Sequence, residues 1–191
     1  LKMAAANGVS EAIVGQGGIL STPAASHLIR LNQADGGFIL SASHNPGGID
    51  EDFGVKFNGE NGGPAPENLT TRIFEATKVI AEFQTLDAGD INLEVVGGSS
   101  LGDMRVCVVD PVKAYQGLME SLFDFDGIRE MFANGFTMCF DAMHAVTGPY
   151  ATAILEDALG AASGTVVNGT PLEDFGKGHP DPNPIWAKPL M

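Results

Sequence analysis

The sequence predicts an α/β chain, and three observations predict it. Short apolar runs of strand length alternate with longer segments whose apolar residues recur every three or four positions. The first strand, helix and strand fall within about 30 residues, the size of one βαβ unit, so a parallel sheet is expected. Glycine is abundant, at 25 of 191 residues, and gathers at the joints between those segments.

Taken in order, Leu1 to Ala6 form the tail of a helix that Asn7-Gly8 ends. Ala12-Ile13-Val14, within Glu11 to Gly15, is a short apolar strand, and Gly17-Gly18 punctuates it. Ser21-Thr22-Pro23 starts a helix, with Thr22 as N-cap and Pro23 at the first helical position. Ala24, Leu28, Ile29 and Leu31 make its apolar face, and Gly36-Gly37 end it. Phe38 to Leu40 is a buried strand that stops at small and polar residues, then at Pro46-Gly47-Gly48. Gly54 to Phe57 alternates as a strand returning antiparallel, and Asn61 to Pro66 is a loop.

A helix is expected from Pro66 to Phe83, on the spacing of Leu69, Ile73, Ala76, Ile80 and Phe83, with Lys78 on its solvated side. Residues 84–103 are acidic and weakly patterned, with a strand over 91–96. Met104 to Val109 is a clearer strand. Helices follow over Val112 to Phe123 and Gly127 to Phe132, then a buried strand over Phe136 to Phe140. Thr147-Gly148-Pro149 opens a helix through Leu159, and Thr165 to Val167 is a short strand. Gly176 to Met191 holds four prolines and is expected to be an irregular loop with Trp186 as a packing residue. The periodicity restarts near residues 110–116, which divides the chain into domains at 1–112 and 113–191.

The bulk numbers limit the function. A hydrophobic content of 44% is enough for a core. The net charge of −14, with ten scattered Lys and Arg, offers no basic footprint for nucleic acid or anionic lipid. No run reaches the length of a membrane span, and the N-terminus lacks the apolar centre of a signal peptide, so a cytoplasmic protein is expected. Cys107 and Cys139 each fall in an expected strand and are read as buried free thiols.

The chemistry centres on Ser41-Ala42-Ser43-His44-Asn45-Pro46-Gly47-Gly48. Ser43 falls on a loop just past a strand end, where open α/β sheets bind ligands. Small neighbours let the backbone approach an anion, and successive N–H groups there can form a nest. A hydroxyl, an imidazole and a glycine-rich backbone are the parts needed to hold a phosphoryl group on serine. The residues alone also fit plainer roles: a turn serine, a hydrogen-bonding His44, and a Lys56 that blunts a strand edge. A serine hydrolase is excluded, because its nucleophile sits in G-x-S-x-G and this frame is A-S-H-N-P-G-G. His144 and His179 are read as structural, and Glu173, Asp174 and Asp181 as turn residues rather than metal ligands.

The same octapeptide resembles the phosphoserine loop of the α-D-phosphohexomutases, with Ser41 where that family has Thr. Asp52 to Asn58, with Val55 for Ile, and Asn61 to Pro66 are similar to segments of the family's phosphoglucomutase branch. So are Asp141 to His144, Pro171 to Gly176 and His179 to Asn183, in the same order along nearly the whole chain. The resemblance implies two mixed-sheet α/β domains with helices on both sheet faces, domain 1 over 1–112 and domain 2 over 113–191. It implies interconversion of glucose 1-phosphate and glucose 6-phosphate through a phosphoserine and glucose 1,6-bisphosphate. Ser43 is then the phosphoserine and a Mg²⁺ ligand through its phosphate, Lys56 a general acid or base near the substrate, and His44 and Asn45 shape the loop. The partner implied is a hexose phosphate, with no nucleic acid or membrane, for a monomer or weak dimer.

The family's three-aspartate metal loop, sugar-recognition segment and C-terminal phosphate site have no counterpart in these residues. The expectation is therefore a piece of a longer protein that does not turn over alone. Two alternatives stay open: a non-catalytic member with a structural or binding role, and a mutase for mannose or glucosamine phosphates.

Overall fold

The computed structural model describes residues 1–187; the end of the expected irregular loop, residues 188–191, lies outside them. The chain forms two compact units, one of Leu1–Leu20 with Gly63–Pro111 and the other of Ser21–Gly62 with Val112 onward.

The first unit contains α1 (Lys2–Ala6), β1 (Glu11–Gly15), α3 (Glu67–Thr77), β4 (Gly97–Leu101) and β5 (Met104–Val109). Its sheet runs β1-β5-β4, with β1 parallel and β4 antiparallel to the central strand. Strand alternation sends Met104, Val106 and Val108 inward, at 1%, 0% and 2% exposure. Met104 and Val106, with Leu101, meet Ala4, Ala5, Ala12 and Val14. Burying side chains of this size stabilises the fold by about 1.5–3 kcal/mol each.

The second unit contains α2 (Thr22–Leu31), β2 (Gly36–Leu40), β3 (Val55–Gly59), α4 (Lys113–Leu122), α5 (Phe125–Ala133), β6 (Phe140–Asp141), α6 (Thr147–Ala151) and β7 (Val166–Val167). β2 and β3 form an antiparallel ribbon, and β6 and β7 a short parallel pair. Ala24, Leu28 and Ile29 are the buried face of α2. The Tyr150 hydroxyl accepts a hydrogen bond from the Ser21 backbone N–H at 3.0 Å, and its ring meets Tyr115 edge-on. Gly37 sits so close to Ile29 that a Cβ there would lie 2.9 Å from Ile29 Cδ1. The start of β2 is thus seated on α2, and the ribbon holds the Ser41–Gly54 connection at its end.

Several expectations are corrected. β1 and β2 belong to different sheets, so the first strand–helix–strand is not one βαβ unit; β1 finds its parallel partner in β5. Ser21 caps α2, its Oγ accepting the Ala24 N–H at 3.3 Å, and Thr22 is already helical. α2 ends at Leu31, which is exposed, and Gly36-Gly37 begin the next strand. The strand before Ser43 is not fully buried: Ile39 is, while Phe38 and Leu40 face out of a two-stranded ribbon with one open side.

α3 stops at Thr77, where Thr77 Oγ1 donates to the Phe74 carbonyl and Lys78 pairs with Glu75 at 2.7 Å. Beyond it Val79, Ile80 and Phe83 are exposed, and periodic apolar residues without a surface to pack on do not sustain a helix. The strand expected over 91–96 forms instead at Gly97–Leu101. Only Phe140 of the expected 136–140 strand pairs; Phe136 is drawn back by its N–H to the Met131 carbonyl, and Cys139 is exposed rather than buried. Cys107 is half-buried, and both thiols are free. The helix from Thr147 is present, with its second half, Thr152–Ala158, wound as a π-helix.

Candidate active site

Ser43 lies in the connection that leaves β2 and returns as β3. One bond continues the ladder past the strand ends, from the Ser41 N–H to the Gly54 carbonyl at 2.9 Å. Gly54 is obligatory there, because a Cβ would stand 2.3 Å from the Ser41 carbonyl oxygen. Above that closure Ser43 takes φ +65°, the left-handed region that ordinarily costs a non-glycine residue about 1–3 kcal/mol. The Ser41 hydroxyl supports it by accepting the Ser43 N–H at 3.1 Å. The resulting turn exposes the Ser43 side chain and sets its Oγ 3.2 Å from His44 Nδ1, a hydrogen bond whose proton lies on either atom according to the imidazole tautomer.

The backbone donors sort themselves. The Ser43 and Asn45 N–H groups are engaged within the loop, Asn45 with the Ala42 carbonyl at 3.3 Å. Among the described residues those of His44, Gly47 and Gly48 have no partner, and they remain to meet an anion. Asp50, Glu51 and Asp52 follow on the same connection. An incoming phosphate therefore meets acidic neighbours as well as backbone donors.

The other expected residues are placed less intimately. Asn45 is exposed beside His44. Lys56 pairs across the ribbon with Ile39, on the face that also carries buried Asn58. It is exposed, and among the described residues it makes no ion pair and no hydrogen bond to Ser43. The described residues contain no group of three His, Cys, Asp or Glu able to hold a metal.

Sequence reasoning missed how the later motifs meet the serine loop. Within the same compact unit, a Cβ on Gly47 would stand 2.6 Å from Phe175 Cε2 and 2.8 Å from the Glu173 carbonyl. The 170–176 segment is pinned in turn by His144, whose Nδ1 donates to the Thr170 carbonyl at 2.9 Å and whose own carbonyl accepts from Leu172 N–H at 3.0 Å. Met143, His144, Asn168 and Phe175 all carry positive φ. The signal was present as three collinear motifs, but nothing in their spacing says that they touch. His179, read as structural, stacks on Trp186 with ring centroids 4.4 Å apart, and Trp186 is otherwise exposed.

Residues 1–84 match the family described as phosphoglucomutase/phosphomannomutase, alpha/beta/alpha domain I. The whole chain aligns with a phosphoglucomutase of Rhizobium radiobacter at 56% identity and with the chloroplastic phosphoglucomutase of Arabidopsis thaliana at 53%. It spans 35% and 31% of those proteins, about a third of their length. In structure, 99% of the chain superposes on 36% of pp63/parafusin (phosphoglucomutase), an exocytosis-sensitive phosphoprotein from Paramecium, with a TM-score of 0.94 and 45% identity. Residues 1–84 thus carry the first domain of the phosphoglucomutase/phosphomannomutase family, and the chain as a whole is similar to phosphoglucomutases.

Proposed function

We propose that Ser43 is the phosphoryl carrier of a phosphoglucomutase, whose full protein interconverts glucose 1-phosphate and glucose 6-phosphate through glucose 1,6-bisphosphate. The observation that carries this reading is the Ser43 hydroxyl itself. It is exposed on a left-handed residue, backed by Ser41, and 3.2 Å from an imidazole nitrogen. A turn serine with no further role gains nothing from that conformation.

Phosphoryl transfer depends mostly on positioning and charge stabilisation. In the forward half-reaction the 6-hydroxyl of glucose 1-phosphate attacks the phosphorus on Ser43. The new O–P bond forms as the P–Oγ bond breaks, the sugar hydroxyl gives its proton to a base, and Oγ takes one. His44 Nδ1 is the group placed to hold the proton at Oγ. Lys56, at the loop end of the ribbon, is assigned the proton exchanged with the sugar, and Asn45 shapes the loop. In the return half-reaction Oγ takes the phosphoryl group from the 1-position of the bisphosphate and glucose 6-phosphate leaves.

Mg²⁺ would neutralise charge on the transferring group when bound. The described residues do not make a metal site. The Ser43 phosphate would supply one oxygen, and the remaining ligands would be aspartates outside this chain. We further propose the division into domains 1–112 and 113–191, a hexose phosphate rather than nucleic acid or membrane as partner, a monomer or weak dimer, and a cytoplasmic setting. No described helix is long and apolar enough to cross a membrane. Relatives include a cytoplasmic phosphoglucomutase of Populus tremula as well as chloroplastic ones.

Exchange of label between glucose 1-phosphate and glucose 6-phosphate by the full-length protein tests the reading, and Ser43→Ala should abolish it. The likeness to an exocytosis-sensitive phosphoprotein favours one second reading, a binding role that keeps the serine loop without turnover. Full-length protein that carries phosphate on Ser43 yet exchanges no label would support that role instead.

A further inference from the structure

The serine loop rests on a second loop far along the chain, and its Gly47 lies directly against Phe175 and Glu173. We propose that Phe175 is a positioning residue for the Ser43 hydroxyl, and that His144 acts through Phe175. This rests on the reading of Ser43 as phosphoryl carrier.

Four observations assign the role. The contact is tight and specific: the position a Gly47 Cβ would take is 2.6 Å and 3.1 Å from the Cε2 and Cδ2 atoms of the Phe175 ring. Gly47 is only four residues after Ser43, beyond a proline that limits the backbone between them. The Phe175 ring is therefore a stop against which the loop is set.

Phe175 is itself held out of the ordinary backbone regions, at φ +52°, with Gly176 and Lys177 both at +63°. Three consecutive left-handed residues persist only where the surroundings over-determine them. Here the determinants are identifiable. Phe175 N–H donates to the Leu172 carbonyl at 3.1 Å, Asp174 Oδ1 accepts from Gly176 N–H at 3.0 Å, and Leu172 N–H donates to the His144 carbonyl.

The imidazole of His144 completes the support. With Nδ1–H donated to the Thr170 carbonyl, the ring edge lies against Gly176, where a Cβ would stand 3.0 Å from His144 Cδ2. His144 also has positive φ, and its N–H is fixed by the Asn168 carbonyl at 3.0 Å. Asn168 is in turn tied to Asp141 Oδ1 at 2.9 Å, and that same oxygen accepts the Met143 N–H at 2.8 Å. The path from Asp141 to Gly47 is continuous through hydrogen bonds and one aromatic contact. Ser43 makes its hydrogen bonds to Ser41 and His44 rather than to any of these side chains, so the residues act through position.

The test uses the full-length protein and three variants, Phe175→Ala, Phe175→Leu and His144→Ala. Phosphoryl transfer between glucose 1,6-bisphosphate and Ser43 is followed in single turnovers, steady-state kcat and KM for glucose 1-phosphate are separated, and amide exchange is read over residues 41–48. Misplacement by about 1 Å lowers a transfer rate on the order of 10²-fold. Phe175→Ala and His144→Ala should therefore lower kcat by roughly ten- to a hundredfold with KM nearly unchanged, and speed exchange at the bonded amides of Ser43 and Asn45 while leaving α2 protected. Phe175→Leu, which keeps an apolar stop, should recover most of the rate.

Equal kcat and equal loop exchange in Phe175→Ala would overturn the proposal, even if its melting temperature falls. Where Phe175→Ala does not fold, Gly47→Ala probes the contact from the other side and should give the same kcat loss and loop exchange. Unchanged rate and exchange in Gly47→Ala would overturn the proposal too. Wild-type protein that never transfers phosphate to Ser43 would remove the underlying functional reading, and the exchange data alone would then decide whether Phe175 positions the loop.

Discussion

β5 and the Ser41–Gly54 connection are two regions built on opposite rules. In β5 every second side chain enters a core, Val106 with no exposure at all, and the conformation is enforced by apolar area removed from water. In the serine connection Ser43, His44 and Asn45 are all exposed, and the conformation is enforced by a few backbone bonds, one hydroxyl and a contact from Phe175. The first region is stable and chemically silent. The second leaves a hydroxyl and an imidazole open to solvent. Substitutions in the two should therefore separate stability from phosphoryl transfer.

The largest effect expected is on chemistry. Ser43→Ala should lower label exchange by on the order of 10³-fold or more while the melting temperature barely changes, since an exposed hydroxyl contributes little to the fold. The counterpart in β5 is Met104→Ala, which should cost about 2–5 kcal/mol in denaturant unfolding. It should leave the rate per folded molecule unchanged; a lowered rate would break the separation.

Two smaller effects sharpen it. Tyr150→Phe strands the buried Ser21 N–H at the start of α2 and should cost about 1–3 kcal/mol of stability. Ser41→Ala removes the acceptor of the Ser43 N–H and should slow phosphoryl transfer about fivefold, the equivalent of a hydrogen bond worth about 1 kcal/mol, with Ser41→Thr restoring it. The smallest concerns Asp90, whose carboxyl the Lys2 ammonium, hydrogen-bonded at 2.8 Å, holds below its ordinary value of 3.8. A lowered carboxylate pKa adds stability above the ordinary value and loses it as pH falls through the lowered one. Because Asp90 is fully exposed, Asp90→Asn should flatten the acid limb of unfolding only marginally.

The same contrast explains what the sequence disclosed. Met104 to Val109 was legible because alternation and burial are one signal. The strand expected over Gly54 to Phe57 was legible from its alternation and forms at Val55–Gly59, and the motif resemblance singled out Ser43, His44 and Lys56 as candidates. The strand over 136–140 was not, because an apolar run does not say that Phe136 will be drawn back to Met131 by the end of α5. Nor was the partner of β1, which pairing across some ninety residues of chain supplies as β5. At the site, left-handed φ at Met143, His144 and Phe175 carries no compositional mark, since none of them is glycine. The contact of Phe175 with Gly47 is long-range, and periodicity reports only local order.

Whether Ser43 carries the phosphoryl group can be measured directly. The most direct measurement incubates the full-length protein with glucose 1,6-bisphosphate, maps phosphate by peptide mass spectrometry, and then adds glucose 1-phosphate. One phosphoryl group on Ser43 that departs when the sugar phosphate is added is the result expected. Unmodified Ser43, or phosphate there that the sugar does not remove, would contradict it.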